Sequence, residues 1–386
     1  MIYLDYAATT PMSEQSIATY AAVAREYYGN ASSLHEEGSR AKQVADASMN
    51  IIAGAMGAQG RHIHMVGGAS EGNFLAIYAL LDGIKEQNPQ KKHILCSPLE
   101  HDSVAKVISR LQKEGWQIEY MPVSAEGVVS VSATEELMRE DTALVVIQLV
   151  NSELGTLQPV KKLSELAHAR GARVHCDAVQ AFGKLEIDVF DLGVDAMSVS
   201  AHKIYGPKGI GAVWMNPNVE WNPFLANSTR KSFRPGTLPI PSMAAFAAAV
   251  KEAMADRAAE YERVQRLRDH WIEQLSELPY APVIEGSADQ ALQSPFILGL
   301  RFPGMEGQFF MLECDQAGIG ISTGSACQAG TDEPNVSMRA LGKSEQEIRE
   351  FVRLSFGKGH TEADISRVIP KIFAILERHY SHIQIN

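Results

Sequence analysis

Basic residues are the minority here: 35 Lys and Arg stand against 46 Asp and Glu, a formal net charge of −11. That balance denies the chain the basic footprint on which non-specific nucleic-acid binding rests, and the polybasic attraction that holds proteins to anionic membranes. Neither a direct nucleic-acid partner nor a membrane partner is expected. Long apolar runs are missing too. VVIQLV (145–150) is strand-sized, far short of the roughly 20 residues that cross a bilayer. Cysteine is scarce: Cys96, Cys176, Cys314 and Cys327 are the four in 386 residues, and none are spaced C-x-x-C. A dithiol redox motif and a cysteine zinc site are therefore not expected, nor any other metal centre. Free thiols in a reducing cytoplasm fit such usage. The opening MIYLDYAATTPM lacks a basic region followed by an apolar core, so no secretory leader is expected there.

What is present is an ordinary globular composition, 45% hydrophobic and 21% charged. The length suits two domains, or one large domain with a smaller one. Short β-branched runs alternate with helical patterns through the first two thirds. KHILCS (92–97), TALVVIQLV (142–150), ARVHCDAV (172–179) and DAMSVSA (195–201) read as buried strands. HDSVAKVISRLQKEG and VKKLSELAHARG read as helices between them, the second stopped by Gly171. Such alternation predicts an α/β fold with a mostly parallel sheet covered by helices, and ligands at the carboxyl ends of its strands. A long Ala-rich helical pattern follows over 242–278. Beyond it PFILGLRF and FVRLSFG read as strands of a smaller α+β part, which the first dozen residues join.

Candidate chemistry gathers just past these strands. SVSAHKIYGPKG (198–209) sets Ser200, His202 and Lys203 between an apolar run and a Gly/Pro turn. Such a lysine is either a solvated surface charge or an amine held in a cleft as nucleophile or base. Asp177 and Gln180 follow a strand, and Asp177 reads either as a helix cap or as the partner of a protonated pyridine nitrogen. VGGASEGN (66–73) is a Gly-rich turn entering a helix. It is an ordinary helix start or a phosphate cradle, and it matches neither the Walker nor the Rossmann spacing. His101 follows KHILCS. Arg353 lies inside FVRLSFG, as half of an internal salt bridge or as a clamp for a carboxylate. Cys327 sits among small residues in GISTGSACQAGTDEPN (320–335), an accessible loop thiol or an incidental one.

Taken together these motifs resemble the cysteine desulfurases of the NifS/IscS type, within the class V aminotransferase superfamily of fold-type I pyridoxal-phosphate enzymes. YLDYAATTP, GNASSLHEEG, GGASEGNFLAI, EHDSV, VNSELGTLQP, HCDAVQAFGK, SAHKIYGPKGIG, FRPGT, STGSACQAGTDEPN and VRLSFG occur in the family's order, nearly end to end. LANSTRKSFRPGTLP departs from the family's glycine triplet and Gln-Glu pair while keeping Arg234 and Thr237, and GASEGN stands where GATESN is usual, with Ser70 keeping a hydroxyl.

The resemblance implies a large domain over 13–258 that binds pyridoxal 5′-phosphate on a sheet of the seven-stranded type. It also implies a small domain, 1–12 with 259–386, carrying the cysteine loop. Lys203 would hold the cofactor covalently and act as base. Ala69, Ser70, Ser200 and His202 would bind its phosphate, joined by Thr237 from a neighbouring subunit, which implies a homodimer. Asp177 would pair with the ring nitrogen, Gln180 with the phenolic oxygen, and Asn151 with the cofactor–substrate region. His101 would stack on the ring and assist proton transfer, and Arg353 would clamp the carboxylate of L-cysteine. Cys327 would take the substrate sulfur as a persulfide, leaving alanine, and pass it to an acceptor protein: a scaffold, a thiouridylase or a dedicated iron–sulfur client. The alternatives are another class V reaction, such as selenocysteine cleavage or transamination, or a non-catalytic assembly partner.

Overall fold

The chain is seen in a computed structural model that describes residues 1–224, 233, 236–324 and 335–383. The expectations placed on Cys327, on Arg234 and on 225–232 lie outside the described residues. In chain order the strands are β1 (Ile2–Tyr3), β2 (Ile63–Val66), β3 (His93–Cys96), β4 (Gln117–Tyr120), β5 (Thr142–Gln148) and β6 (Arg173–Asp177). They continue with β7 (Ala196–Ser200), β8 (Gly211–Met215), β9 (Val283–Glu285), β10 (Ile297–Arg301), β11 (Ile319–Gly320) and β12 (Phe351–Ser355).

Seven of them form one sheet in the order β2-β8-β7-β6-β5-β3-β4, in which β8 runs against both neighbours and the other pairs are parallel. This is the expected α/β architecture. β3, β5, β6 and β7 fall where the apolar runs placed them. β2, β4 and β8 were not anticipated. β4 is the sheet edge and none of its residues is buried, so it lacks the apolar signal of a central strand. β8 begins inside KGIGAVWM, where the glycines read as a turn.

Because side chains alternate across a sheet, each central strand feeds two layers. Val145 and Ile147 of β5 join one apolar cluster, and Leu144 and Val146 join the other. Along β6 and β7, Val174, Cys176, Met197 and Val199 enter the first cluster. The intervening positions are His175, Asp177, Ser198 and Ser200, a buried polar stripe on the opposite face. The helix Ala69–Gln87 covers that face, with Leu75, Ala76 and Ala79 in the second cluster.

β12, β10 and β9 make a separate antiparallel sheet, while β1 pairs in parallel with β11. The long helix Ile240–Ser276 serves both parts. Its early residues Met243, Phe246 and Val250 sit in the core of the large sheet, and Val264, Leu267 and Trp271 in that of the small one. The predicted stop at Gly171 is seen as a residue with φ +63° just past the helix Val160–Ala169.

One close approach fixes the floor beneath the site. A Cβ at Gly211 would lie 2.6 Å from the Val199 carbonyl oxygen and 3.0 Å from the backbone of Gly68, at the entrance of the helix Ala69–Gln87. Both neighbours are backbone, so neither yields cheaply. Gly211→Ala is expected to lower stability by about 1–3 kcal/mol in urea denaturation; an unchanged midpoint would show that the strand and the turn can separate freely.

Candidate active site

Six strands of the large sheet point the same way, so the loops after their carboxyl ends meet at one edge. A cleft of about 580 Å³ opens there. Its walls come from Ala7–Thr9, from Gly67–Glu71 after β2, and from His101 and Ser103 after β3. Gln148 and Ser152 contribute from the end of β5, Asp177 and Gln180 from β6, and Ser200, His202 and Lys203 from β7. Lys208 and Arg353 complete the cationic lining.

Lys203 ends a short 3₁₀ turn, Ala201–Lys203, that leaves β7. Its Nζ donates to the carbonyl oxygens of Ala7 at 2.5 Å and Ala8 at 2.9 Å. The backbone just beyond is strained: Tyr205 has φ +69°, a region that suits glycine. Its N–H donates to Thr10 Oγ1 at 2.8 Å and its hydroxyl accepts from Lys358 N at 2.7 Å. These bonds hold the turn in place.

Asp177 presents its carboxylate into the cleft with both oxygens engaged. Oδ2 accepts from Asn73 Nδ2 at 2.8 Å, and Oδ1 from the Val179 N–H at 3.0 Å. Across from it, His101 caps the helix Asp102–Lys113 through Nδ1, which accepts the Ser103 N–H at 3.1 Å. With Nδ1 as acceptor, the neutral ring carries its proton on Nε2.

The turn before the helix Ala69–Gln87 turns backbone donors toward the same space, with Gly68 at φ +151° allowing the approach. Ser200 Oγ is buried and has no protein partner among the described residues. Such a hydroxyl is costly unless a ligand satisfies it. His202 Nδ1 lies 3.1 Å from Thr9 Oγ1. Burial, then the charges of Lys203, Lys208 and Lys184, pull its pKa down to about 4. A helix N-terminus, an orphaned hydroxyl, a neutral imidazole and the nearby Lys208 form a donor set that suits a phosphate. Pyridoxal 5′-phosphate, which the sequence resemblance implies, therefore fits the residues present.

Arg353 keeps both of the roles open to it. One NH2 group donates to Asp5 Oδ1 at 2.7 Å and the other to the Ser152 carbonyl at 2.8 Å, while Nε is buried without a protein partner. Gln180 donates from Nε2 to the Ala7 carbonyl at 3.0 Å and accepts at Oε1 from Lys184 Nζ at 3.2 Å.

One expected contributor stands elsewhere, and another, Thr237, is expected to serve a neighbouring subunit. Asn151 is not among the cleft residues: its carboxamide bonds Leu99 O, Ser337 Oγ and the N–H groups of Glu153 and Leu154. Thr237 is exposed and lines no part of this chain's cleft. The three described cysteines, Cys96, Cys176 and Cys314, are buried, and burial pushes each thiol up, away from reactivity. Asn73, Asp5, Lys184 and Lys208 join the site without having been singled out. GASEGN and LDYAATT contained the first two as parts of quoted motifs, and Lys184 follows Gln180 by four residues.

Residues 2–368 match the aminotransferase class-V family. NifS of Bacillus subtilis is 39% identical over 97% of this chain and 94% of its own. Cysteine desulfurase IscS 1 of Archaeoglobus fulgidus is 34% identical over 98% and 97% respectively. A solved NifS-like protein superposes with a TM-score of 0.89 at 27% identity, covering 97% of this chain and 99% of the other.

The buried histidines carry a pH signature. Burial lowers the pKa of His175 to about 3, as it helps lower that of His202 to about 4, whereas both stand near 6.5 once unfolded. Below pH 6.5 the unfolded chain binds more protons, so the stability present above that pH drains away as pH falls toward 4. The urea midpoint should drop between pH 7 and pH 5, and less steeply in His175→Asn. Equal slopes for the two proteins would show that His175 takes up its proton without unfolding.

Proposed function

The chain belongs to the aminotransferase class-V family, and from its full-length likeness to NifS and IscS proteins we infer its reaction: it is a cysteine desulfurase of the NifS/IscS type, converting L-cysteine to L-alanine. The observation that carries this reading is the convergence in one cleft of the Lys203 amine, the Asp177 carboxylate and the phosphate-suited donors around Ser200. When bound, pyridoxal 5′-phosphate supplies the electron sink that makes a Cα proton removable. All else is the work of this chain's side chains.

Ala69, Ser70, Ser200 and His202 hold the phosphate, and Thr237 serves the partner subunit of a homodimer. Asp177, oriented by Asn73, would keep the ring nitrogen protonated, and Gln180 would serve the phenolic oxygen with the Nε2–H not used on Ala7 O. His101 would stack on the ring and assist proton transfer. Arg353 binds the substrate carboxylate, its unpartnered Nε adding a donor beside the NH2 groups that Asp5 and Ser152 fix. Lys203 Nζ takes the Cα proton and redelivers it. Asn151 acts by shaping the loop after β5 rather than by reaching the cofactor.

The sulfur goes to Cys327. Its thiolate attacks the substrate sulfur, the S–S bond forms as the substrate C–S bond breaks, and alanine leaves once that carbon is protonated. The persulfide then passes to an acceptor protein that serves iron–sulfur cluster assembly or a thiolated cofactor or tRNA. The large part, 13–258, holds the cofactor, while 1–12 with 259–386 carries the cysteine segment. An acidic chain with no described helix long and apolar enough to cross a membrane suits a cytoplasmic setting.

Anaerobic sulfide and alanine release from L-cysteine should fall on the order of 10³-fold in Cys327→Ser, while added cysteine still shifts the cofactor's absorbance. Equal release from variant and wild type would make Cys327 incidental and remove the desulfurase reading.

A further inference from the structure

Lys184 sits where a lysine is hardest to accommodate. It leaves the turn after β6 four residues beyond Gln180, and that turn is tight: Lys184 N and Leu185 N both donate to the Ala181 carbonyl. Gly183, just before Lys184, has φ +71°, and a Cβ there would come within 2.9 Å of Ile204. The side chain is thereby directed inward, under the cleft. Nζ donates to Gln180 Oε1 at 3.2 Å and lies 5.5 Å from the centre of the Phe296 ring. Among the described residues it forms no ion pair.

Two cations, Lys203 and Arg353, face it from the cleft side with the neutral ring of His202, and Asp5 is already paired to Arg353. A small cavity of about 30 Å³ on the far side brings Asp256, Arg257, Glu260, Lys358 and Tyr205 to the same surroundings. Of these carboxylates, Glu260 pairs with Arg263 at 2.7 Å, and Arg257 reaches Glu186 at 3.8 Å. The charges that act most on this half-buried ammonium, Lys203 and Arg353, both oppose it.

A continuous chain of hydrogen bonds connects the two amines. Lys184 Nζ donates to Gln180 Oε1, Gln180 Nε2 donates to Ala7 O, and Ala7 O also accepts from Lys203 Nζ. The first link selects the carboxamide's orientation, because an amine on Oε1 leaves Nε2 as the group turned toward the cleft. We propose that Lys184 is a positioning residue for this site: from beneath, it fixes Gln180 with its N–H₂ toward the cleft and, as a second cation beside Lys203, governs how readily that nitrogen holds a proton.

Burial, with the charges of Lys203 and Arg353, brings the Lys184 pKa down to about 7, so near neutral pH its charge is easily gained or lost. The inference rests on the reading of Lys203 as the residue that holds the cofactor. It adds that the proton balance at Lys203 is set by a residue that touches neither cofactor nor substrate.

The test is a pH titration of the visible absorbance band of the full-length holoenzyme without substrate, for wild type, Lys184→Met and Lys184→Arg. Removing the neighbouring cation favours the protonated form at Lys203, so Lys184→Met should raise the midpoint by about one pH unit. Lys184→Arg places a permanent cation there and should keep the midpoint at or below the wild-type value. Should Lys184→Met not fold, Lys184→Gln, uncharged but still able to donate to Gln180, should also raise it. A purely structural role would displace the methionine and arginine variants in the same direction; that outcome, or no displacement in either, overturns the inference. A Lys203→Ala holoenzyme that keeps the titrating band instead overturns the reading of Lys203.

Discussion

The first ten residues clasp the two parts of the molecule together, and the site depends on that clasp. Leu4 and Ala7 bond to Ser355 at the end of β12, through the Leu4 carbonyl and the Ala7 N–H. Asp5 is paired with Arg353 at 2.7 Å. A few atoms further on, the Ala7 carbonyl receives Lys203 and Gln180 from the large sheet, and Thr10 N–H donates to the His202 carbonyl. One N-terminal segment, a short strand followed by a turn, thus bonds to the small sheet with its first part and to the cleft loops with its second. Without it, Arg353 would lose its counter-ion and Lys203 the carbonyls that receive its amine.

From that constraint the electrostatics follow. The clasp and the loops bring Lys203, Lys184, His202, Lys208 and Arg353 close together, with Asp5, Glu71 and Asp177 among the nearby anions. Burial first, and crowding of like charge after it, favours neutral forms in those groups that can lose a proton, as in His202 and Lys184. It also creates demand for an anionic ligand. A phosphate at the helix N-terminus and a carboxylate at Arg353 would each relieve part of that excess, so binding and neutralisation are one event. The polar stripe His175, Asp177, Ser198 and Ser200 exists because alternate positions of β6 and β7 face the covering helix rather than the other core.

Much of this was legible in the sequence, and the reasons differ by element. β5 is buried on both faces, so its near-continuous apolar run marked it at once. β4 sits at the edge with no buried position and left no such mark. Lys203, Asp177 and His101 were found because each follows a readable strand in a sheet whose strand ends gather ligands. Asn151 was placed in the cofactor region through family motif alone. The structure turns its carboxamide back onto the loop that carries it, a preference for local backbone donors that spacing does not reveal. The Arg353–Asp5 contact joins residues 348 positions apart, and the Lys184–Gln180 contact depends on a glycine with positive φ. Neither long-range pairing nor a half-buried amine beside other cations has a signature in local pattern.

The central claim is that the amine now lodged on the Ala7 and Ala8 carbonyls is the one that takes the cofactor. Its most direct test is to load the full-length protein with pyridoxal 5′-phosphate, reduce it with borohydride and map the modified peptide by mass spectrometry. The account predicts one phosphopyridoxyl group on Lys203, with Lys184 and Lys208 unmodified. A label on either of those lysines, or none retained, would contradict it.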